Sequence, residues 1–457
     1  MHWPIRAAVV LFLVVLTDPA HAQDPLAGVA VVDITPPIGY PLSGYYHERG
    51  STSVHDPLQA KALVLRQGST RIALVVCDLC AMWPVVSEPA RARIERETGI
   101  PAGNIAIAAT HTHTGPDYHG LRGERWRANR SNGFDYTAFL IDKIVEAVEQ
   151  ADRSAAPAEL RVGVAEQHGL AFQRRFHLKS GFVRFNPGKL NPDILAPAAP
   201  IDPQVGLLMI RPMGGHPPAL LNVFALHLDT VGGSEISADY PYHLEQRLRE
   251  SQGPTFTSIF ANGTCGDINH FDITHKDRQH GHEEARRIGR TLGATIEAQI
   301  PSLRAIERAS LAARSRKIDV PYQRYGFERI AWARQTIEKS KVPFLQLVEA
   351  WKIVTLERMG MPESRQLEVQ AFRIAPDTAI VTLPGEVFVE IGLAIKNRSP
   401  FNHTFVIELT NDTPAYIPTL KGFAQGGYEA INSQVAPGGG ELLVDAAVDL
   451  LGSLNEQ

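Results

Sequence analysis

The chain has 457 residues, of which 44% are hydrophobic and 21% are charged, and its formal net charge is −4. This composition is typical of a globular protein and excludes a fibrous or disordered chain. Because the net charge is small, it gives no electrostatic reason to expect nucleic acid or an anionic membrane as a partner.

The first 22 residues have the pattern of a secretory signal peptide. Arg6 precedes an unbroken apolar run at residues 7–16, and the small-x-small triplet Ala20-His21-Ala22 follows. This run is too short for a transmembrane helix, which needs about 20 apolar residues. We therefore expect cleavage after Ala22 and a secreted or periplasmic mature chain of residues 23–457.

The remaining chain alternates short runs rich in valine and isoleucine with amphipathic segments, which predicts an α/β fold of mixed β-sheets flanked by helices. We expect one large domain, with a hairpin turn at residues 67–69. Strands are predicted at residues 29–34, 60–65, 72–77, 105–109, 207–211, 220–226, 256–260, 369–374, 379–383 and 404–409. Helices are predicted at residues 88–97, 136–150, 242–249, 283–299, 386–396 and 441–451.

A different pattern covers residues 325–358, which mix charged and aromatic side chains. This segment is predicted to be helical with a break before Pro343, because a residue that precedes proline avoids helical geometry. It is either a peripheral helical hairpin beside a substrate entrance or a plain structural insertion. The sequence supports both interpretations.

The chain has three cysteines, Cys77, Cys80 and Cys265, so at least one stays unpaired within a monomer. The first two are spaced as CxxC, but they lie at the end of an apolar run. We interpret them as small buried hydrophobic residues rather than as a redox pair.

The strongest local signal is the string Thr110-His111-Thr112-His113-Thr114-Gly115-Pro116, directly after the predicted strand 105–109. Side chains two apart on a strand project to the same side, so the two histidines are expected to face one point. Such a pair is suited to bind one metal ion, or to provide one ligand and one proton carrier. A single histidine is more often a core residue, so the pairing favours a functional role.

Three further polar segments follow predicted strands, where functional residues of α/β proteins concentrate. One contains His227 and Asp229. Another contains Glu386, which is predicted to open a helix, and the positive end of a helix would also favour a carboxylate without any catalytic role. The third is the glycine-rich loop 262–269, which lacks the lysine of a phosphate-binding loop. Two or three histidines and a carboxylate at strand ends fit zinc with an open position for water.

With these motifs in view, the sequence resembles the N-terminal catalytic domain of the neutral/alkaline non-lysosomal ceramidases. The matching motifs keep the family order over almost the whole mature chain. They lie at residues 30–36, 55–58, 60–62, 110–116, 227, 237–240, 266–267, 384–386, 411–419 and 427–429. The Thr-His-Thr-His-x-Gly-Pro and Pro-Gly-Glu strings are specific together, although each is weak alone.

The resemblance implies one Zn²⁺ ion with four protein ligands, His111, His227, Glu386 and Tyr416. It also implies that His113 contacts the zinc-bound water or the developing oxyanion. Tyr428 matches a family tyrosine that holds the substrate carbonyl. Arg174 matches the active-site arginine of the family, with Arg175 as the alternative.

Two departures from the family pattern bear on activity. The family carries serine in its Gly-Asp-x-Ser-Pro loop, whereas this chain has Asn269 at that position. An amide side chain is not a nucleophile, but it can donate a hydrogen bond, so we expect Asn269 to be a catalytic residue at the pocket wall. The family also adds a C-terminal β-sandwich domain, for which the residues after Tyr428 leave no room.

The resemblance implies a zinc-dependent amidohydrolase that cleaves an N-acyl amide, either ceramide-like or another, with zinc-activated water. The expected partner is a small-molecule or lipid amide; contact with a membrane surface stays open, and no nucleic acid is expected. The alternatives are a zinc esterase or lactonase acting on a polar substrate, and a non-catalytic metal-containing binding protein of the same fold. A covalent serine hydrolase is disfavoured because the sequence has no Gly-x-Ser-x-Gly elbow.

Overall fold

The computed structural model describes residues 24–119 and 133–456, so the predicted signal peptide lies outside the described residues. The fold is built around a nine-stranded sheet. Its strands lie side by side in the order Thr257–Asn262, Ala219–Phe224, Gln204–Pro212, Ala156–Glu166, Leu26–Asp33, Gln59–Gln67, Thr70–Cys77 and Ile105–Ala109, and the short strand Arg304–Ala305 pairs with Ala156–Glu166.

At each edge of this sheet, the last two strands pair in parallel. Ala219–Phe224 pairs with Thr257–Asn262 at one edge, and Thr70–Cys77 pairs with Ile105–Ala109 at the other. The chain between the strands of each pair contains a helix, as parallel crossovers usually do. The other strand pairs are antiparallel, and the turn predicted at residues 67–69 joins two of them.

The sheet curls until its two parallel edges meet. The side-chain nitrogen Nδ2 of Asn262 donates to the carbonyl of Thr110 at 3.3 Å, which joins the ends of the two edge strands. Lys61 Nζ donates to the carbonyl of Ser258 at 2.8 Å and is ion-paired with Glu245. The carboxyl ends of both parallel pairs are therefore brought to one place.

A four-stranded sheet packs against one face of the large sheet. Its strands are Ala312–Pro321, Ser364–Ala375, Thr378–Thr382 and His403–Ile407. The core between the two sheets is apolar, and Phe405 lies at its centre with 1% of its surface exposed. A Cβ atom at Gly206 would come within 2.4 Å of the Phe405 ring, so the ring occupies the space that glycine leaves.

Helices cover the outer faces of both sheets, which gives four layers in all. On the large sheet these helices are Pro84–Thr98, Tyr136–Arg153, Tyr240–Gln252 and His282–Gln299. On the four-stranded sheet they are Val389–Arg398 and Gly439–Asn455. The other helical segments of the described chain are Ala102–Asn104, Ile300–Ser302, Phe327–Ile337, Phe344–Arg358, Leu420–Gln425 and Tyr428–Asn432.

The predicted α/β fold with mixed sheets and flanking helices is confirmed. The strand Ala312–Pro321 is not predicted by the sequence pattern, because its middle residues are polar and exposed at the edge of a sheet. Small ladders that escaped prediction are Ser53–Val54 with Glu235–Ile236, Phe172–Gln173 with Ile268–Asn269, Glu386–Val387 with Tyr416–Ile417, and the three-stranded group Arg175–Leu178, Val183–Phe185 and Ile194–Pro197.

The segment predicted to be helical with a break before Pro343 forms the two helices Phe327–Ile337 and Phe344–Arg358. They pack on each other around a small core of their own, formed by Ala333, Ala350, Ile353 and Val354. We call this unit the helical hairpin. No helix in the described part of the chain has the length and apolar character needed to cross a membrane.

Replacing Phe405 tests the contact between the two sheets. We expect Phe405→Ala to lower the free energy of unfolding by about 3–5 kcal/mol, because the cavity above Gly206 cannot be refilled. The exposed Phe182 is the matched control, and Phe182→Ala should stay within about 0.5 kcal/mol of the parent. Denaturant titration followed by circular dichroism measures both; equal losses in the two variants would contradict this packing.

Candidate functional site

The closed edges of the large sheet bring together residues that are far apart in sequence. His111 follows the strand Ile105–Ala109, and His227 follows the strand Ala219–Phe224. Their Nε2 atoms are 2.9 Å apart, and both side chains are buried. The structure therefore places these two strand ends together.

The expectation that strand alternation pairs His111 with His113 was wrong, although the two rings are adjacent. The strand ends at Ala109, and His111 has a φ of 79°, so strand alternation does not apply. The ring centroids of the two histidines are 4.8 Å apart, and their Nε2 atoms are 3.3 Å apart. A turn with a left-handed residue, not a strand, directs both rings inward.

Backbone carbonyls orient the two histidines that lie closest together. The carbonyl of Cys80 is 2.6 Å from Nδ1 of His111, and the carbonyl of Cys265 is 3.4 Å from Nδ1 of His227. A proton on each Nδ1 leaves the lone pair of Nε2 directed at the centre of the site. This arrangement is typical of histidines that bind a metal ion.

Glu386 enters the site from a short strand, which corrects the prediction that it opens a helix. Glu386–Val387 pairs in parallel with Tyr416–Ile417, and the helix begins only at Val389. Glu386 and Tyr416 are direct partners in this ladder, so their side chains lie on the same side of it. The pairing explains why two residues distant in sequence act at one point.

The carboxylate of Glu386 faces the two imidazoles. Its Oε2 atom lies 3.4 Å from Nε2 of His111 and 3.8 Å from Nε2 of His227. This oxygen is buried and has no hydrogen bond of normal geometry. Two imidazole nitrogens and an unpartnered carboxylate oxygen within 4.8 Å of one another are a donor set that fits a metal ion.

The electrostatics of the three groups differ. Burial acts to lower the pKa of His111, but Glu386 and the neighbouring Cys80 raise it well above its usual value. Burial and the adjacent His111 lower the pKa of His227. Burial acts to raise the pKa of Glu386, but His111 and Tyr416 hold it below its usual value. These directions favour a protonated His111 beside the Glu386 carboxylate and a neutral His227, so a metal ion would bind with release of the proton from His111.

The glycine-rich loop supports Glu386 from behind. A Cβ atom at Gly266 would come within 2.5 Å of the Glu386 carbonyl, so the loop can approach only with glycine there. The carboxylate of Asp267 accepts hydrogen bonds from the backbone nitrogen of Val389 at 2.8 Å and from Gln173 at 3.0 Å. The Gly266-Asp267 motif therefore has a structural role, in which it fixes the segment that carries Glu386.

Asp229 is a site residue to which the sequence analysis gave no role. Its Oδ1 atom lies 3.3 Å from Nδ1 of His113, and it accepts a short hydrogen bond from the hydroxyl of Tyr45. Burial acts to raise the pKa of Asp229, but His113 and Tyr45 lower it to about 2. The carboxylate therefore stays charged and lies beside the His113 ring, although Nδ1 of His113 has no hydrogen bond of normal geometry.

The structure distinguishes Arg174 from Arg175. Nη1 of Arg174 lies 3.5 Å from Nε2 of His227, and its guanidinium lies 5.3 Å from the centre of the Tyr416 ring. Arg175 instead donates to the carbonyl of Gly426 at 2.7 Å, away from the histidines. Only Arg174 is adjacent to the site.

A second unexpected residue, Glu429, holds both arginines. Its carboxylate is fully buried and lies 2.9 Å from Nε of Arg174 and 3.4 Å from Nε of Arg175. It follows Tyr428 in a motif noted in the sequence, but a buried glutamate has no local pattern that reveals its partners. The buried charge of Glu429 is balanced by the two guanidinium groups, and the glutamate in turn fixes the position of both arginines.

A pocket of about 150 Å³ opens above these groups. Its floor includes His111, His113, Glu386, Tyr416 and Tyr428. Its walls come from two sides, with Trp83 and Tyr45 on one and the helical hairpin on the other. This contact favours the interpretation of the hairpin as a wall of the substrate entrance.

Asn269 does not line this pocket. Its amide nitrogen donates to Oδ1 of Asn186 at 3.0 Å, and its Oδ1 accepts from the backbone nitrogen of Phe271 at 3.1 Å. The donor that was expected to reach a substrate is therefore engaged elsewhere. The catalytic role of Asn269 stays a prediction.

The three cysteines are free. Cys77 and Cys265 are buried as expected, whereas Cys80 is half-buried and lines the pocket beside His111. The sulfur of Cys80 lies 3.9 Å from Nδ1 of His111. Cys80 is therefore a neighbour of the site and not only a core residue.

The model of the N-terminal domain of the neutral/alkaline non-lysosomal ceramidases matches residues 26–273. The neutral ceramidase of Pseudomonas aeruginosa is 28% identical over 276 residues, which are 56% of this chain and 39% of that protein. The neutral ceramidase of Mycobacterium tuberculosis is 28% identical over 239 residues, which are 48% of this chain and 36% of that protein. The matches thus span less than half of the length of these relatives.

The fold is also that of a solved structure, the neutral ceramidase from Pseudomonas aeruginosa. The TM-score is 0.73 at 19% identity, over 95% of this chain and 75% of that chain. The family match includes the three histidines of the site, whereas Glu386 and Tyr416 lie beyond it. The structural match shows that the fold extends over most of the chain.

The donor set predicts one tightly bound divalent metal ion per chain. We expect His227→Ala and Glu386→Gln to lose this ion, because each removes one of the atoms that converge. His113→Ala should keep it, and His403→Ala, on a strand of the other sheet, is the matched control. Elemental analysis of the purified variants measures the content; full occupancy in His227→Ala would remove His227 from the ligand set.

Proposed function

Because the chain belongs to the neutral/alkaline non-lysosomal ceramidase family, we propose that it hydrolyses an N-acyl amide at a zinc centre. The observation that carries the proposal is the convergence of ligand atoms from His111, His227 and Glu386 at the floor of the pocket. Two histidines and a glutamate are one of the protein ligand sets of catalytic zinc sites, which keep a position open for water.

The fit of zinc rests on the donor atoms themselves. Both histidines direct Nε2 inward, and the buried oxygen of Glu386 has no hydrogen bond of normal geometry. We propose Tyr416 as the fourth ligand, because it pairs with Glu386 in the short ladder and lines the same pocket. When bound, Zn²⁺ would polarise the amide carbonyl and lower the pKa of a water molecule to about 7.

We propose that His113 carries the proton that the reaction must move. Its Nδ1 faces Asp229 at 3.3 Å, and its Nε2 faces the metal ligands and the pocket. A histidine held in this way accepts a proton from the attacking water at Nε2 and gives it to the leaving nitrogen. Asp229 is a positioning residue, since it stabilises the charged imidazole without touching the substrate.

Arg174 and Tyr428 are assigned to the carbonyl oxygen of the substrate. Tyr428 lines the pocket, with its ring centroid 5.4 Å from that of Tyr416. The guanidinium of Arg174 lies behind both rings, 5.9 Å from the Tyr428 centroid, and is fixed by Glu429. The hydroxyl of Tyr428 donates to the oxyanion, and the charge of Arg174 stabilises it through the low-dielectric interior.

The overall reaction adds one water molecule and breaks the C–N bond, so the products are a carboxylic acid and an amine. The relatives are neutral ceramidases by name, which makes N-acylsphingosine one candidate substrate. We propose that residues 23–457 form a single catalytic domain for this reaction.

We also propose that the protein is exported, because the first 22 residues have the pattern of a signal peptide. Expression with its own N-terminus in a bacterium with a periplasm should give a product that begins at Gln23. N-terminal sequencing of the periplasmic fraction measures this, and a product that retains the first 22 residues would contradict the proposal.

Two variants test the proton-transfer pair. We expect His113→Ala to lower kcat by at least about a hundredfold with the metal retained. Asp229→Asn should lower kcat by about ten- to a hundredfold, because the ring of His113 loses its fixed orientation. The assay follows release of the amine from N-acylsphingosine, N-acylethanolamine and N-acylglycine by the zinc-loaded protein, with His403→Ala as the control.

The same assay separates the alternative functions. Cleavage of simple esters without cleavage of any amide would identify an esterase. A fully zinc-loaded protein with no turnover on either class would identify a binding protein. Unchanged kcat in His113→Ala would remove this histidine from proton transfer while leaving the metal site intact.

A further inference from the structure

The helical hairpin places a lysine in the wall of the pocket. Lys352 lies on the helix Phe344–Arg358, and it lines the pocket together with Trp351 and Thr355. Only 5% of its surface is exposed. A lysine so deeply buried is unusual unless its charge has a partner.

Lys352 has no charged partner within the described part of the chain. Its Nζ donates to the neutral Oε1 of Gln323 at 3.0 Å and lies 5.0 Å from the centre of the Tyr325 ring, but no described carboxylate lies within ion-pair distance. Glu349, one turn away, is itself paired with Arg329 at 2.6 Å. Burial lowers the pKa of Lys352 to about 8, so the ammonium is still the main form at neutral pH and lacks a counterion.

A second polar group that lines the pocket has a side-chain atom without a hydrogen-bond partner. Gln434 lines the pocket, 6% of its surface is exposed, and its Oε1 atom is buried with no hydrogen-bond partner. An unsatisfied buried acceptor costs about 1–3 kcal/mol, so native structures rarely keep one without a reason. Because this atom is an acceptor, the ligand that satisfies it must offer an N–H or O–H donor, such as the N–H of a substrate amide.

We infer that the substrate carries a negatively charged group, bound by Lys352, next to an N–H donor that reaches the Oε1 atom of Gln434, while the amide carbonyl lies at the floor of the pocket. This inference rests on the proposed amide hydrolysis and narrows its substrate class. It favours amides with a carboxylate or a similar anion, such as N-acyl amino acids, over neutral ceramides. A buried ammonium binds an anion strongly because water does not screen the pair.

The test compares two amides of nearly equal size that differ in charge. N-decanoylglycine ends in a carboxylate, and N-decanoylethanolamine ends in a hydroxyl. We expect the zinc-loaded parent to have the higher kcat/KM on N-decanoylglycine. Lys352→Met should lower the ratio of the two kcat/KM values by about ten- to a hundredfold, mainly through KM, because one charge-assisted contact is lost.

Two further variants control for folding and for charge. Lys339→Met makes the same substitution at an exposed position of the helical hairpin and should leave the ratio unchanged. Lys352→Arg keeps the positive charge and should retain a higher ratio than Lys352→Met. Thermal melting and zinc content of each variant show whether a loss comes from unfolding.

Calorimetric binding of N-decanoylglycine separates failure of this inference from failure of the proposed function. Binding that is lost in Lys352→Met, without turnover of any amide, would support the anion site and refute the amidase. Turnover with equal kcat/KM on both amides, or an equal loss on both in Lys352→Met, would overturn the anion site alone. Neither binding nor turnover of N-decanoylglycine would also overturn it.

Discussion

Burial of the Glu386 carboxylate against two imidazoles is the interaction on which the site depends. A carboxylate that leaves water without a full set of donors is destabilising by several kcal/mol unless it is paired or binds a metal ion. The fold holds it there through backbone contacts, since Glu386–Val387 is pinned between the strand Tyr416–Ile417 and the loop at Gly266. The packing of the surrounding layers thus keeps the Glu386 carboxylate buried, where it would otherwise turn toward solvent.

The closure of the large sheet makes this arrangement possible. In a flat sheet of this order, the strand Ile105–Ala109 and the strand Ala219–Phe224 would lie near opposite edges, with their carboxyl ends far apart. The hydrogen bond from Asn262 to Thr110 joins these edges, and the adjacent His111 and His227 then share one point. Because five antiparallel pairings separate the two parallel pairs, the pairs run in opposite directions along the sheet, and it is the curling of the sheet that brings their carboxyl ends together.

The sequence predicted those parts of the site that follow from local pattern. The paired histidines after a strand could be identified because an apolar run and a polar motif adjoin in the chain. Tyr416 came only from family resemblance, since its role depends on pairing with Glu386, which no local pattern encodes. Asp229 and Glu429 received no role because a buried acid is recognised by its partners, and those partners come from distant segments. The predicted start of a helix at Glu386 was wrong, because the helix begins at Val389 and the two-residue ladder before it has no periodicity to detect.

The helical hairpin has its own small core, separate from the layers that hold the histidines and Glu386. It still contributes one wall of the pocket, through Trp351, Lys352 and Thr355. Changes in this unit can therefore alter the shape and charge of the pocket without disturbing the ligand set. The ligand set and this wall of the pocket are thus held by separate packing units, so exchange of the hairpin between relatives would change the wall and leave the ligand set in place.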